Sequence, residues 1–96
     1  MTDPDEVTIR DDPEAGRYEL FLGDRLAGFA TYRLEGDRLF LPHTEMRPEY
    51  EGRGLGGRLA RFVLDDARSR GLKVVPRCEF IDVYIRRHPE YDDLVA

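Results

Sequence analysis

The sequence predicts an α+β domain: an antiparallel meander of about four strands, then a parallel fifth strand and two helices. Three observations carry this reading. Apolar residues recur at period two from Val7 to Glu45, broken by Gly and Asp turn signals. The period changes to that of a helix after Gly54. A short β-branched run, Val74-Val75, then sits between two helical stretches.

The first strand is marked by Val7 and Ile9 alternating with polar neighbours. Asp11-Asp12-Pro13-Glu14-Ala15-Gly16 turns the chain into Tyr18, Leu20 and Leu22. Gly23-Asp24 is a tight turn signal. The third run, Arg25 to Leu34, places Leu26, Gly28, Ala30 and Tyr32 on one face and Ala27, Phe29 and Thr31 on the other. Glu35-Gly36-Asp37 leads into Leu39, Leu41, His43 and Glu45. Runs joined this closely form an antiparallel meander. Pro42 inside the fourth run points to a bulge or an edge, because it cannot donate to a ladder. Beyond Gly54, Leu55, Leu59, Phe62, Val63 and Ala67 share one helical face, and Arg58, Arg61, Asp65 and Arg68 share another. Gly71 ends that helix. Val74-Val75 reads as a short buried strand ending at Pro76-Arg77-Cys78, and Phe80, Val83 and Tyr84 mark a second helix running to about His88. A strand, helix, strand order predicts a right-handed crossover that lays the last strand parallel to the fourth.

Composition bounds the function. A chain of 96 residues is expected to be one domain burying roughly 60–70% of its unfolded surface, with residues 1–6 flexible. Fifteen Lys and Arg against 20 Asp and Glu leave a net charge of −5. That balance disfavours nucleic acid or an anionic membrane as partner and suits a cationic or amine substrate. The single cysteine excludes an internal disulfide. No apolar run approaches membrane-spanning length, and the charged start lacks a signal-peptide core. The expectation is a cytoplasmic protein, monomeric or a weak dimer. His43, His88 and Cys78 have none of the short ligand spacings of a zinc site, so no metal is expected.

The stretch Glu51-Gly52-Arg53-Gly54-Leu55-Gly56-Gly57-Arg58-Leu59 is a glycine-rich turn opening a helix. Glycines let successive backbone N–H groups converge on an anion, and the helix start adds unpaired amides and the positive end of its dipole. Arg53 and Arg58 add charge. A P-loop would need Lys-Ser/Thr after Gly57, but Arg58 and Leu59 follow; a dinucleotide fingerprint from Gly54 would need Gly or Ala in place of Leu59. What remains, Arg-Gly-Leu-Gly followed by a small residue and a helix, resembles the acyl-coenzyme A pyrophosphate loop of the GNAT N-acetyltransferase superfamily.

Two further motifs strengthen that likeness: His43-Thr44-Glu45-Met46, and Pro76-Arg77-Cys78-Glu79-Phe80 with Tyr84 and His88-Pro89-Glu90-Tyr91. Together the three resemble, from Val7 to about Leu94, the small single-domain GNAT-like acetyltransferase family, which lacks the N-terminal elements of full-length enzymes. The resemblance implies a truncated GNAT sheet that binds acetyl-coenzyme A and transfers acetyl to an amine, a protein lysine, an N-terminus or a small amine. It implies that the pantetheine arm pairs like an extra strand with Glu45, Met46 and Arg47. The pyrophosphate would rest on Arg53, Gly54, Leu55, Gly56, Gly57 and Arg58. Many full-length relatives carry Gln or Arg where Glu51 stands, which leaves the cationic role to Arg53 and Arg58. The alternative function is a coenzyme A-binding sensor or interaction module without turnover.

In the family, the cysteine matching Cys78 is the proposed active-site residue. A thiol with a free pKa of about 8.5 becomes a nucleophile when a helix N-terminus or an imidazolium lowers it. The second helix starts just after Cys78, and His43 on the fourth strand is a candidate partner or general base. Glu45 and Glu79 are candidates for deprotonating an ammonium substrate, and Tyr84 for protonating a departing thiolate. Each has an ordinary alternative: a solvated strand-end charge for the carboxylates, and packing against Phe80 for Tyr84. His88 near a helix end is explained by capping. Catalysis divides into direct attack by a bound amine or double displacement through acetyl-Cys78.

Overall fold

A computed structural model describes residues 3–96. Five strands form one sheet in the order β1 (Val7–Asp12), β2 (Arg17–Leu22), β3 (Arg25–Glu35), β4 (Arg38–Met46), β5 (Lys73–Pro76). The first four are antiparallel and β5 is parallel to β4. Helices α1 (Leu55–Ser69) and α2 (Glu79–Arg87) flank β5 in sequence, and 3-10 turns span Pro48–Tyr50 and Pro89–Leu94. Asp3–Glu6, expected to be flexible, form a turn tied to the sheet: the Gly23 N–H donates to the Glu6 carbonyl at 2.7 Å. Met1 and Thr2 of that segment lie outside the described residues.

Both helices cover the same face of the sheet. Leu55, Leu59, Val63 and Ala67 of α1, with Ala60 and Leu64, close over Tyr18, Leu20, Leu39, Leu41 and Val74. The i, i+4 spacing is what turns one stripe toward the strands. Phe62, read from the sequence as part of that stripe, lies at its border and is 37% exposed. α1 ends in a Schellman motif. Gly71 takes φ +68°, its N–H donates to the Arg68 carbonyl, and the Leu72 N–H donates to the Ala67 carbonyl. In α2 the buried residues are Ile81 and Ile85, whereas Phe80 is 44% exposed. The chain after α2, absent from the sequence-derived elements, adds Tyr91 and Leu94 to the core, and Ala96 N–H donates to Val74 O along the free side of β5.

Two bulges change the strand faces inferred from strict alternation. Leu20 pairs with Gly28 but Phe21 pairs with Leu26, so Ala27 is the extra residue and is fully buried, and it does not share the face of Phe29 and Thr31 as strict alternation has it. On β4, Thr31 pairs with His43 and Arg33 with Phe40, which leaves Leu41 and Pro42 opposite Tyr32 alone. Pro42 thus sits in a bulge, where its missing N–H leaves no gap in the ladder.

Among the described residues no helix covers the other face of the sheet. Phe21, Phe29 and Phe40 lie there, each with a guanidinium stacked over it: Arg10 at 5.0 Å, Arg17 at 4.8 Å and Arg33 at 5.1 Å from the ring centroids. Glu19, only 3% exposed, accepts from Arg10 Nε at 3.0 Å and from Arg17 Nε at 2.8 Å. The arginine stems shield apolar rings while their charged ends stay wet or paired.

Three phenols donate to carboxylates: Tyr18 of β2 to Asp66 of α1 at 2.6 Å, joining sheet to helix, Tyr32 of β3 to Asp11 of β1 at 2.7 Å, and Tyr91 of the last turn to Asp65 of α1 at 2.6 Å. Burial first, then the bonded carboxylate, raises all three pKa values, to about 12 for Tyr32 and Tyr91. A phenol with a raised folded pKa holds its proton when the unfolded chain has lost it. Its stabilisation is full below pH ~10 and is lost as pH climbs to about 12. Stability in denaturant should therefore fall steeply above pH ~10, and the steepness should diminish in Tyr32→Phe and Tyr91→Phe; an alkaline slope unchanged by both would contradict this origin.

Candidate active site

β5 pairs with β4 only as far as Leu41. Beyond it the strands separate, and the Leu41 carbonyl accepts from both Arg77 N–H at 3.1 Å and Cys78 N–H at 3.0 Å, turning the chain away into α2. Among the described residues Pro42–Met46 therefore has no strand neighbour on that side. The Arg47 N–H donates to Ala27 O in β3, so by antiparallel alternation the main-chain groups of Met46 and Thr44 face the open side while those of Glu45 turn to β3.

A cleft of about 360 Å³ lies along this open edge on the helix-covered face. It is lined by Thr44 and Met46 of β4, Tyr50 and Glu51 after it, Gly52, Gly54–Gly57 and Phe80. Gly52 (φ +79°) and Gly54 (φ +75°) adopt left-handed backbone, and among the described residues nothing lies within 4 Å of where their Cβ atoms would be. Backbone conformation, with no packing demand, is what requires glycine at these two positions, and the space over the loop stays open. Gly54 is the N-cap of α1 but offers no side-chain cap, and the first turn carries no acidic residue. Arg58 N–H makes the first helical bond, to Gly54 O. The amides of Leu55, Gly56 and Gly57 are thus uncapped donors in a cleft wall, an arrangement suited to an anionic phosphate. The residues present fit a pyrophosphate on the loop and an extended arm along β4.

The two loop arginines separate. Arg53 sits beside Tyr50, 6.0 Å from its ring, and borders a neighbouring cleft with Arg25. Arg58, expected beside the pyrophosphate, lies on another flank of α1 with Ile9, Arg61 and Phe62, because its helical position is three residues on from Leu55 and faces β1.

Cys78 is half-buried at the inner end of the open edge, and its Sγ lies 3.2 Å from Thr44 Oγ1. It is also the N-cap residue of α2, with its side chain making no cap bond. Thr44 has no role that the His43-Thr44-Glu45-Met46 spacing assigns, because its contact with Cys78 depends on strand separation, which spacing does not reveal. His43 is not the thiol's partner. Residues 43 and 44 are consecutive on a strand, so Thr44 faces the helices and Cys78 while His43 points to the uncovered face, against Phe29. There His43 Nε2 meets Glu45 Oε1 at 3.3 Å, both side chains 56% exposed.

Tyr84 is likewise outside the cleft. Its ring packs near Gly57 and stacks on His88 at 3.9 Å. Burial, with the Glu90 and Asp65 carboxylates nearby, raises its pKa. His88 ends α2, its Nδ1–H donating to Tyr84 O at 2.7 Å. Glu79 is exposed in the first turn of α2, where a carboxylate complements the helix dipole. Among the described residues no cluster of three metal-ligating side chains occurs, and no helix is long and apolar enough to cross a membrane.

A four-stranded meander with a parallel fifth strand, split where a glycine loop opens a helix, defines an acyl-coenzyme A-type transferase fold. The chain belongs to the GCN5-related N-acetyltransferase family, whose profile matches residues 17–94. That family generally uses acetyl-coenzyme A as co-substrate. The solution structure of a GCN5-like protein from Staphylococcus aureus superposes with a TM-score of 0.72 over 98% of this chain and 90% of that one, at 22% identity. The ribosomal-protein-S18-alanine N-acetyltransferase of Escherichia coli gives a TM-score of 0.61 at 21% identity, covering 74% of this chain and 48% of that one. Protein NATD1 of Gallus gallus and of Mus musculus are each 36% identical over 59 residues. The match takes in 60% of this chain and 54% of theirs, so it spans about half the length of these relatives.

Proposed function

We propose that the chain is an acetyl-coenzyme A-dependent N-acetyltransferase acting by direct transfer to an amine. The observation that carries this reading is the uncapped start of α1 opening into a cleft that continues along the unpaired end of β4 to Cys78. When bound, acetyl-coenzyme A supplies an acetyl thioester whose C–S bond breaks as the new C–N bond forms. Leu55, Gly56 and Gly57 amides hold the pyrophosphate, and Thr44 and Met46 main-chain groups align the arm. The His43–Glu45 pair takes the ammonium proton, freeing the nitrogen lone pair. The departing coenzyme A thiolate takes up the proton that the attacking nitrogen loses as the amide forms, beside the Cys78 thiol that Thr44 holds at the start of α2. The His43–Glu45 pair lies on the face of the sheet opposite Cys78, where it can serve an incoming amine and not the thiol, and this favours direct transfer over a Cys78 relay.

Native mass spectrometry with acetyl-coenzyme A should show a non-covalent complex, and denaturing mass spectrometry should find Cys78 unacetylated. Amine-dependent thiol release should fall about 10²-fold or more in a His43→Gln, Glu45→Gln double variant, with coenzyme A affinity unchanged. An acetyl-Cys78 that passes its acetyl to an amine would replace direct transfer by double displacement. A complex without thiol release would make the chain a coenzyme A sensor, and no complex would sink both.

A further inference from the structure

The break between β4 and β5 has two mouths. The second opens on the uncovered face as a cleft of about 400 Å³ lined by Arg33, Phe40, Pro42 and Arg77. Pro42 directly follows the last β4 residue paired with β5, and Arg77 directly precedes Cys78. The cleft therefore borders the end of the β4–β5 pairing on the face opposite the coenzyme A cleft.

Its chemistry is cationic in a chain of net charge −5. No carboxylate lies within ion-pair distance of Arg77 among the described residues. Arg33 is stacked on Phe40 and leans on Glu35 at 2.5 Å, a pair whose side chains are 68% and 54% exposed and so readily exchanged for a better anion. Phe40 gives the cleft an apolar floor. Two guanidinium forks over such a floor match the planar oxygens of a carboxylate or phosphate.

With the helix-covered side of the gap taken by the acyl donor, the uncovered side, where His43 and Glu45 also stand, offers the acceptor its approach. We propose that the acceptor is an amine bearing an anionic group, a carboxylate or a phosphate, which Arg33 and Arg77 seat while the amine enters the gap. This rests on the acetyltransferase reading above. The anion fixes the far end of the substrate, and no covalent change occurs at the arginines.

The test uses ¹⁵N-labelled full chain saturated with coenzyme A and two matched pairs of amines. β-Alanine is compared with β-alaninamide, and O-phosphoethanolamine with ethanolamine. The charged member of at least one pair should shift the amides of Arg33, Phe40 and Arg77 and bind at least about tenfold more tightly than its neutral partner. The pair with the larger ratio identifies carboxylate or phosphate as the natural group. Arg77→Ala and Arg33→Ala should erase the ratio while coenzyme A affinity stays as in the parent. Equal binding within both pairs, or shifts confined elsewhere, with coenzyme A bound, overturns the anionic acceptor and leaves acetyl transfer standing. Failure of coenzyme A to bind overturns the underlying reading instead.

Discussion

Replacing Gly54 with valine should weaken acetyl-coenzyme A binding by about 10²-fold or more while leaving the melting temperature within a few degrees of the parent. The reason is conformational. Gly54 takes φ +75° with no heavy atom within 4 Å of its Cβ position, so valine meets no clash there. It meets the left-handed backbone penalty, ~1–2 kcal/mol for an L-residue and more for a β-branched one. The cheapest escape is to let the exposed Gly52–Gly54 loop change shape, because it buries nothing. That same change moves the Leu55, Gly56 and Gly57 amides off the phosphate, and each hydrogen bond to a charged group is worth ~1.5–3 kcal/mol. Losing two suffices for the stated loss. Isothermal titration beside a thermal melt checks both halves. Unchanged affinity would mean that the loop does not hold the ligand. Gly56 is a different case: an added Cβ would sit 2.8 Å from Phe80 Cζ, the end of an exposed side chain that can swing aside, so Gly56→Ala should be milder.

That contrast marks what a sequence can and cannot reveal here. The glycine loop was legible because both of its requirements, positive φ and a helix start, are local. So were the turns at Gly23 and Gly36 and the stop at Gly71, all at positive φ. The strand order was legible because short loops force neighbours together. The faces were not. A single bulged residue, Ala27 on β3, inverts which positions meet the helices, and nothing in Leu26-Ala27-Gly28 announces it. For α2, Phe80 and Tyr84 outrank Ile81 and Ile85 in size, yet the isoleucines are the buried pair, since the helix's rotation is set by where β5 ends. His43 and Cys78 are both at the gap, but pairing them required knowing which way His43 points, a property of the sheet's register with β3. The arginine-capped phenylalanines and the second mouth of the gap are cross-strand juxtapositions of the same kind. They have no signature at any fixed spacing.

The complementary result is expected from Leu59→Ala, which should lower the melting temperature by ~10–30 °C and leave acetyl-coenzyme A affinity, measured well below the transition, within about threefold. Leu59 is fully buried in the middle of the α1 stripe, one turn beyond Leu55 and one before Val63. Truncation removes its buried methyl groups and leaves a cavity between helix and sheet, a cost of ~2–5 kcal/mol for such sites. Domains of this size hold only ~5–15 kcal/mol in total, and each kcal/mol moves the midpoint by ~4–8 °C. The N-terminal turn of α1 should nevertheless keep its aim at low temperature, because Leu55 and Val63 still anchor the helix on either side and Gly54 sets its start independently. Binding and stability are therefore separable along one helix. If Leu59→Ala lost affinity in proportion to stability, the loop would be acting as part of the core, and the Gly54→Val variant would then be expected to lose its melting temperature as well.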